Sequence, residues 1–229
     1  MLARQRVSKI LRLRGGASAS RAAALYSAML ARRPTVRETE IKLRIADLAG
    51  LVRKIRTLRA HCSGRVLERN TLFETPDEDP RRRGRLLRIR IETPAPSKLI
   101  PGGPGRNIIT SKSPVPVSSG SRYKEKLERE LAVRSRTDWT ASLRSLGFRP
   151  GFRYEKFRTT FRLPGLHLDL DETPVGLFLE IEGAPTSIDR IARTLGFSPR
   201  DYIRSTYWDL YAAECRRRGQ IPGNMLFPA

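Results

Sequence analysis

A chain of 229 residues with 39% hydrophobic content is long enough to bury one sizeable core, and no apolar run approaches the roughly 18 to 20 residues that would argue for a membrane helix. Forty-five Lys and Arg against 23 Asp and Glu give a net charge of +22, which excludes an acidic, self-solvating chain and calls for an anionic partner, either nucleic acid or a polyphosphate. Cys62 and Cys215 show no CxxC spacing and no clear secretory signal precedes them, which argues against a disulfide framework and for a reducing, cytoplasmic setting with free thiols.

Residues 1–37 hold nine Lys or Arg and no acid, leaving an excess of thirteen positive charges in the body. The stretch 1–35 reads as a basic, disordered arm; its Arg, Ala and Ser content also suits an organelle transit peptide or an extension upstream of the true start. Nucleic acid would be contacted, if at all, through this arm. The body runs from 36 to 215, with a tail at 216–229.

The first predicted strand is VRETEIKLRI. Successive side chains of a strand face opposite ways, so Glu38, Glu40 and Lys42 share one face and Thr39, Ile41 and Leu43 the other. An ordinary half-exposed strand would look the same. DLAGLVRKIRTLRAHC follows, with Leu48, Leu51, Val52, Ile55 and Leu58 at helical spacing, as for a helix laid on the apolar side of a sheet. LLRIRIE sets Arg88 and Arg90 against Leu87, Ile89 and Ile91. Residues 94–120 are rich in Pro, Gly and Ser. Their GGPGR string lacks the GxxxxGK[ST] spacing and reads as a flexible connection.

KLERELAV sets Lys126, Glu128 and Glu130 against Leu127 and Leu131, and TDWTASLRSLGF predicts a short helix ending near Gly147. Three further strands carry Lys156 and Arg158 in YEKFRTTF, Asp169 and Asp171 in LHLDLDE, and Glu180 and Glu182 in LFLEIEG. SIDRIARTLGF and SPRDYIRSTYWDLYAAECRRR predict helices opened by Ser187 and Ser198. Trp139 and Trp208 read as packing anchors. Solvated faces have no need to keep like charges in adjacent pairs. Glu beside Glu, or Arg beside Arg, repels unless opposite charge lies nearby, so the repeated pattern describes a barrel with a charged lumen.

These residues carry a family resemblance. ETEIK resembles the ExExK signature of the CYTH superfamily, the triphosphate tunnel metalloenzymes that include class IV adenylyl cyclases, thiamine triphosphatases and inorganic triphosphatases. The paired arginines of LLRIR, Lys112 in TSKSP, the acidic strand KLERE, the KxR pair of YEKFR, the aspartate turn LDETPVG and the closing ExE of LFLEIEG follow in the family's order, from about Val36 to Tyr211. The resemblance implies an α+β fold, an antiparallel closed barrel of about eight strands flanked by helices.

A triphosphate carries about four negative charges near neutral pH, so its site needs several fixed cations. Lys42, Arg88, Arg90, Lys112, Lys156 and Arg158 are the candidates, with Lys42 and Lys156 as the catalytic pair. Bare carboxylates in the same cavity would repel the substrate. A hard divalent ion, Mg²⁺ or Mn²⁺, resolves the conflict because it takes oxygen ligands from carboxylates and phosphates alike. Glu38, Glu40, Glu128, Glu130, Asp171, Glu180 and Glu182 form the ligand pool; the resemblance favours Glu40, Glu180 and Glu182 for the principal ion, and Asp171 over Asp169.

His61 and His167 lack ligand partners at zinc spacing, and no GxSxG elbow is present. The expected activity is therefore hydrolysis of inorganic triphosphate, ATP or thiamine triphosphate. The alternatives are a class IV adenylyl cyclase forming cyclic AMP and pyrophosphate, and a non-catalytic polyphosphate- or RNA-binding module. With no base-reading residues visible, inorganic triphosphate is expected to be processed at least as well as ATP.

Overall fold

The computed structural model describes residues 34–74, 85–115, 121–133 and 139–228. The expectations for the basic arm lie outside these residues, apart from its last two positions. Eight strands are present among them: β1 (Val36–Ile45), β2 (His61–Glu74), β3 (Leu86–Pro94), β4 (Arg106–Pro114), β5 (Lys124–Val133), β6 (Arg149–Leu163), β7 (Leu166–Thr173) and β8 (Gly176–Gly183). They close into a barrel in the order β1-β5-β4-β3-β2-β6-β7-β8, with every neighbouring pair antiparallel. Among the described residues four α-helices flank it: α1 (Leu48–Thr57), α2 (Trp139–Ser145), α3 (Pro185–Thr194) and α4 (Tyr207–Arg217). No helix among the described residues is long and apolar enough to cross a membrane.

The barrel is inverted relative to a small water-soluble barrel with an oily interior. Its apolar alternation faces outward, where helices cover it. Ile41 and Leu43 of β1, Leu168 and Leu170 of β7, and Leu179 and Ile181 of β8 pack with Leu51 and Ile55 of α1 and Ile188 and Ala192 of α3. A second cluster sets Leu143 of α2 and Phe148 over Phe73, Leu87, Ile89 and Ile109 on the outside of β2, β3 and β4. Burial of these faces is the main cohesive term, and it leaves the opposite face of every strand pointing into the lumen.

Two predicted helix starts are corrected. Helix α3 begins at Pro185 with Ala184 as its N-cap, so Ser187 sits within the first turn; proline at the first position already supplies the helical φ and needs no N–H partner. Ser198 opens only a 3₁₀ turn, Pro199–Asp201. Helix α4 starts at Tyr207 and is capped by Thr206. Its hydroxyl accepts from the Asp209 N–H at 3.2 Å, while the Asp209 carboxylate accepts from the Thr206 N–H at 2.8 Å. Helix α1 is capped by Asp47, which accepts from the Gly50 N–H at 2.8 Å.

The Pro- and Gly-rich connection after β3 is more ordered than a flexible linker. Arg65 donates its N–H to the Pro101 carbonyl at 2.8 Å, and its own carbonyl accepts from the Gly103 N–H at 2.9 Å. Gly64 makes this approach feasible: at φ +110°, a Cβ there would lie 2.6 Å from the Gly103 nitrogen. The C-terminal tail also joins the body. Met225 is fully buried, and it exchanges backbone hydrogen bonds with Arg153 and Glu155 along the start of β6.

Candidate active site

The lumen is a cavity of about 700 Å³. Twelve of the thirteen expected site residues line it: Glu38, Glu40, Lys42, Arg88, Arg90, Lys112, Glu128, Glu130, Lys156, Arg158, Glu180 and Glu182. Cross-strand register explains how distant segments meet. Glu40 lies opposite both Glu182 and Lys124, Lys42 opposite Glu180, Lys112 opposite Glu128, and Glu68 opposite Lys156.

One side of the lumen is dominated by guanidinium groups from β3 and β6. Arg88 donates to the Tyr154 hydroxyl at 3.1 Å and to Thr110 at 3.3 Å, while Arg90 lies 3.5 Å from Glu68 and 3.4 Å from Glu92. The Nε atoms of Arg88 and Arg90 are buried with no hydrogen-bond partner among the described residues, so protein acceptors do not saturate these forks. Glu68 is fully buried between Arg90, Lys156 and Arg158, each 3.5 Å away. Burial would raise its pKa, but those three cations hold the carboxyl far below the usual range. Arg90 is correspondingly pushed up: burial opposes the shift and Glu68 more than offsets it.

Asp171 differs from the other predicted carboxylates. It is fully buried and does not reach the cavity. Its oxygens accept from Lys156 at 2.7 Å, from Arg158 Nε and Nη2 at 2.7 Å, and from the Tyr207 hydroxyl at 2.6 Å. Asp171 thus anchors two cations from behind, and the aspartate that faces the lumen is Asp169, which accepts from Thr160 at 2.6 Å and pairs with Arg158 at 2.8 Å. The preference for Asp171 as the metal-facing aspartate is therefore not supported by its surroundings.

The other side of the lumen, built from β1, β4, β5 and β8, mixes carboxylates with ammonium groups. Lys112 donates to Glu38 at 2.7 Å and lies 3.1 Å from Glu128; Lys124 pairs with Glu40. Lys42 is nearly inaccessible, donates to the Ser205 carbonyl at 3.0 Å, sits 3.4 Å from Glu180 and lies 4.0 Å above the Tyr207 ring. Burial pulls its pKa below the ordinary lysine value; Lys124 and Lys156 act in the same direction, while Glu180 and Glu40 oppose.

A divalent ion can be tested against this arrangement. No three acidic, His or Cys side chains converge at ligating distance among the described residues, since Lys112 and Lys124 hold Glu38 and Glu40. The chemistry of the donor set nonetheless fits a hard cation. The Glu182 carboxylate has no hydrogen bond or ion pair to a described side chain and faces Glu40 across the β1–β8 ladder. Burial and the charges of Glu38, Glu40 and Glu128 push its carboxyl up to about 7, against the pull of Lys112. Glu128 is likewise raised to about 7, first by burial and then by Glu38 and Glu130, with Lys112 opposing. These oxygens lack positive charge, and the two lysine ammonium groups supply only part of what a divalent ion would provide.

Sequence reasoning missed Lys124, Glu68, Tyr154 and Tyr207. Lys124 was within reach, because KEKLERE extends the Lys126–Glu128–Glu130 alternation by one more step. Glu68 alternates with Asn70 and Leu72, a weaker polar face. Tyr207 comes from a helix, whose buried face cannot be matched to a barrel end from its own periodicity.

A closed barrel with outward apolar faces and an ion-paired lumen defines a tunnel protein for a highly charged ligand. The chain matches the CYTH domain over residues 36–207 and belongs to that family, whose members are metal-dependent triphosphatases or adenylyl cyclases. Among solved structures it is similar to the PH1819 protein of Pyrococcus horikoshii OT3, with 24% identity and a TM-score of 0.62 over 77% of this chain and 99% of that one. The PH1012 protein of the same organism gives 24% and 0.57 over 76% and 98%. A Vibrio parahaemolyticus protein described provisionally as an adenylate cyclase gives 17% and 0.60 over 76% and 96%. At these identities the likeness is one of fold. Among curated proteins, none matches this chain.

Proposed function

We propose that this chain is a metal-assisted triphosphatase that hydrolyses inorganic or organic triphosphates within the barrel. The observation that carries the reading is the convergence of Lys42, Arg88, Arg90, Lys112, Lys124, Lys156 and Arg158 on one lumen. Oxyanions are the ligands that such a concentration of fixed cations attracts and holds. Arg88, Arg90 and Arg158 grip phosphate oxygens as forks, and Lys112 and Lys156 add point charges. Glu68 and Asp171 keep Arg90, Lys156 and Arg158 aimed.

Glu40, Glu180 and Glu182 would hold Mg²⁺ or Mn²⁺, with Glu38, Glu128, Glu130 and Asp169 nearby. The ion, when bound, supplies neutralisation and orientation of phosphate oxygens. The water oxygen bonds to the terminal phosphorus as the bond to the departing diphosphate breaks, and its proton leaves to bulk solvent, while Lys42, held by the Ser205 carbonyl and Glu180, stays a fixed positive charge beside the reacting phosphate. The cyclase reading, favoured by the description of the Vibrio relative, uses the same cations but replaces water with the ribose 3′ hydroxyl of ATP.

The test is phosphate release from inorganic triphosphate, ATP and thiamine triphosphate with Mg²⁺ or Mn²⁺, by the wild type and Arg90→Ala. Release from at least one substrate, and a KM raised by about tenfold or more on every substrate used, is expected for loss of a charged fork. Unchanged KM values would remove the lumenal cations from the account.

A further inference from the structure

The lumen face is not charged throughout. On three neighbouring strands it turns apolar at the same end: Leu86 precedes Arg88 and Arg90 on β3, Leu72 follows Glu68 and Asn70 on β2, and Phe152 precedes Tyr154, Lys156 and Arg158 on β6. Helix α4 adds Trp208 to the same wall, its ring meeting Phe152 edge-on with 4.8 Å between centroids. All four side chains line the cavity that holds the cations.

Packing of α4 accounts for only part of this surface. Phe152, Tyr154, Phe178 and Tyr207 are buried and form the core that seats the helix. Leu72, Leu86 and Trp208 remain only partly buried and present apolar area to the lumen. A triphosphate chain has no apolar surface with which to cover them. The wall also adjoins the phosphate-gripping groups directly, since Leu72 lies opposite Arg88 in the β2–β3 ladder. A cavity of about 700 Å³ lies in the range that encloses a drug-sized organic molecule, not only an inorganic anion.

We infer that this wall is a subsite for the planar heteroaromatic head of an organic triphosphate, with Trp208 and Leu72 as its specificity-determining contacts. Trp208, read from the sequence as a packing anchor, then serves both packing and recognition. The inference rests on the triphosphatase reading and narrows its substrate: ATP or thiamine triphosphate is preferred over inorganic triphosphate, contrary to the expectation drawn from the sequence.

The experiment uses the full chain. In a Trp139→Phe background Trp208 is the sole tryptophan, and its fluorescence is titrated with ATP, thiamine triphosphate and inorganic triphosphate. Stacking predicts a saturable change with ATP or thiamine triphosphate that inorganic triphosphate does not produce. In steady-state assays Trp208→Ala is expected to raise the KM of the organic substrate by about tenfold more than that of inorganic triphosphate, and Trp208→Phe to restore most of the difference. Leu72→Ala, which leaves α4 untouched, should shift the same ratio in the same direction. Equal effects on all three compounds would overturn the subsite. Hydrolysis of inorganic triphosphate with no advantage for either organic compound would defeat this inference alone, whereas neither binding nor hydrolysis of any triphosphate would defeat the reading beneath it.

Discussion

Asp171→Asn separates an aspartate that positions cations from one that binds metal. The substitution keeps the shape but removes the charge that accepts from Lys156 and Arg158 at 2.7 Å and from Tyr207 at 2.6 Å. Removing one partner of a buried ion pair typically costs about 3–5 kcal/mol, because the remaining charge is stranded. Here Glu68 lies 3.5 Å from Lys156, and Asp169 lies 2.8 Å from Arg158, so the stranding is partial. The lower end, about 3 kcal/mol, is expected. At roughly 2–4 °C per kcal/mol for a chain of this size, Tm should fall by about 6–12 °C. Calorimetry or thermal fluorescence measures this, and titration with Mn²⁺ should show metal affinity within about threefold of wild type, since Asp171 does not line the lumen. An unchanged Tm with metal affinity lowered tenfold or more would refute the reasoning and make Asp171 a ligand.

Three further outcomes follow from the same physics. Folded Glu182 and Glu128 have carboxyls raised from an ordinary 4.5 to about 7, so the folded state holds more protons than the unfolded one within that window. Stability of the metal-free protein should therefore decline as pH rises through it, and Glu182→Gln should flatten the decline; an unchanged slope in thermal melts would contradict the assignment. Glu40→Gln should remove most turnover while leaving the fold intact by circular dichroism, and excess chelator should do the same to the wild type; full activity in chelator would end the metal reading. Thr206→Ala should cost about 1 kcal/mol through loss of the α4 capping box, against about 0.5 kcal/mol or less for Ser187→Ala, a difference that equilibrium denaturation resolves.

The charged lumen was legible because strand alternation has a period of two and is read directly from residue order. Glu38, Glu40 and Lys42 on one strand, or Glu180 and Glu182 on another, declare their common face without any tertiary information. Alternation says nothing about which strands are neighbours. Pairing of β1 with β5, and of β2 with β6, brings Lys124 to Glu40 and Lys156 to Glu68, and these contacts convert repelling pairs into a neutralised network. Two further features escaped for distinct reasons. Asp169 and Asp171 share a face by alternation, yet α4 covers Asp171 and leaves Asp169 in the lumen, a distinction made by Tyr207. The apolar end of the lumen is spread over single residues at the ends of three strands, and a lone Leu72 or Leu86 at a strand terminus carries no signal until the ends are brought together.

The central claim, that the lumenal cations present a triphosphate to water, is tested most directly by phosphorus NMR of ATP incubated with the purified protein and Mg²⁺. The account predicts growth of orthophosphate and ADP signals, abolished by chelator and strongly reduced in Arg88→Ala. Cyclic AMP and pyrophosphate appearing with no orthophosphate would contradict it.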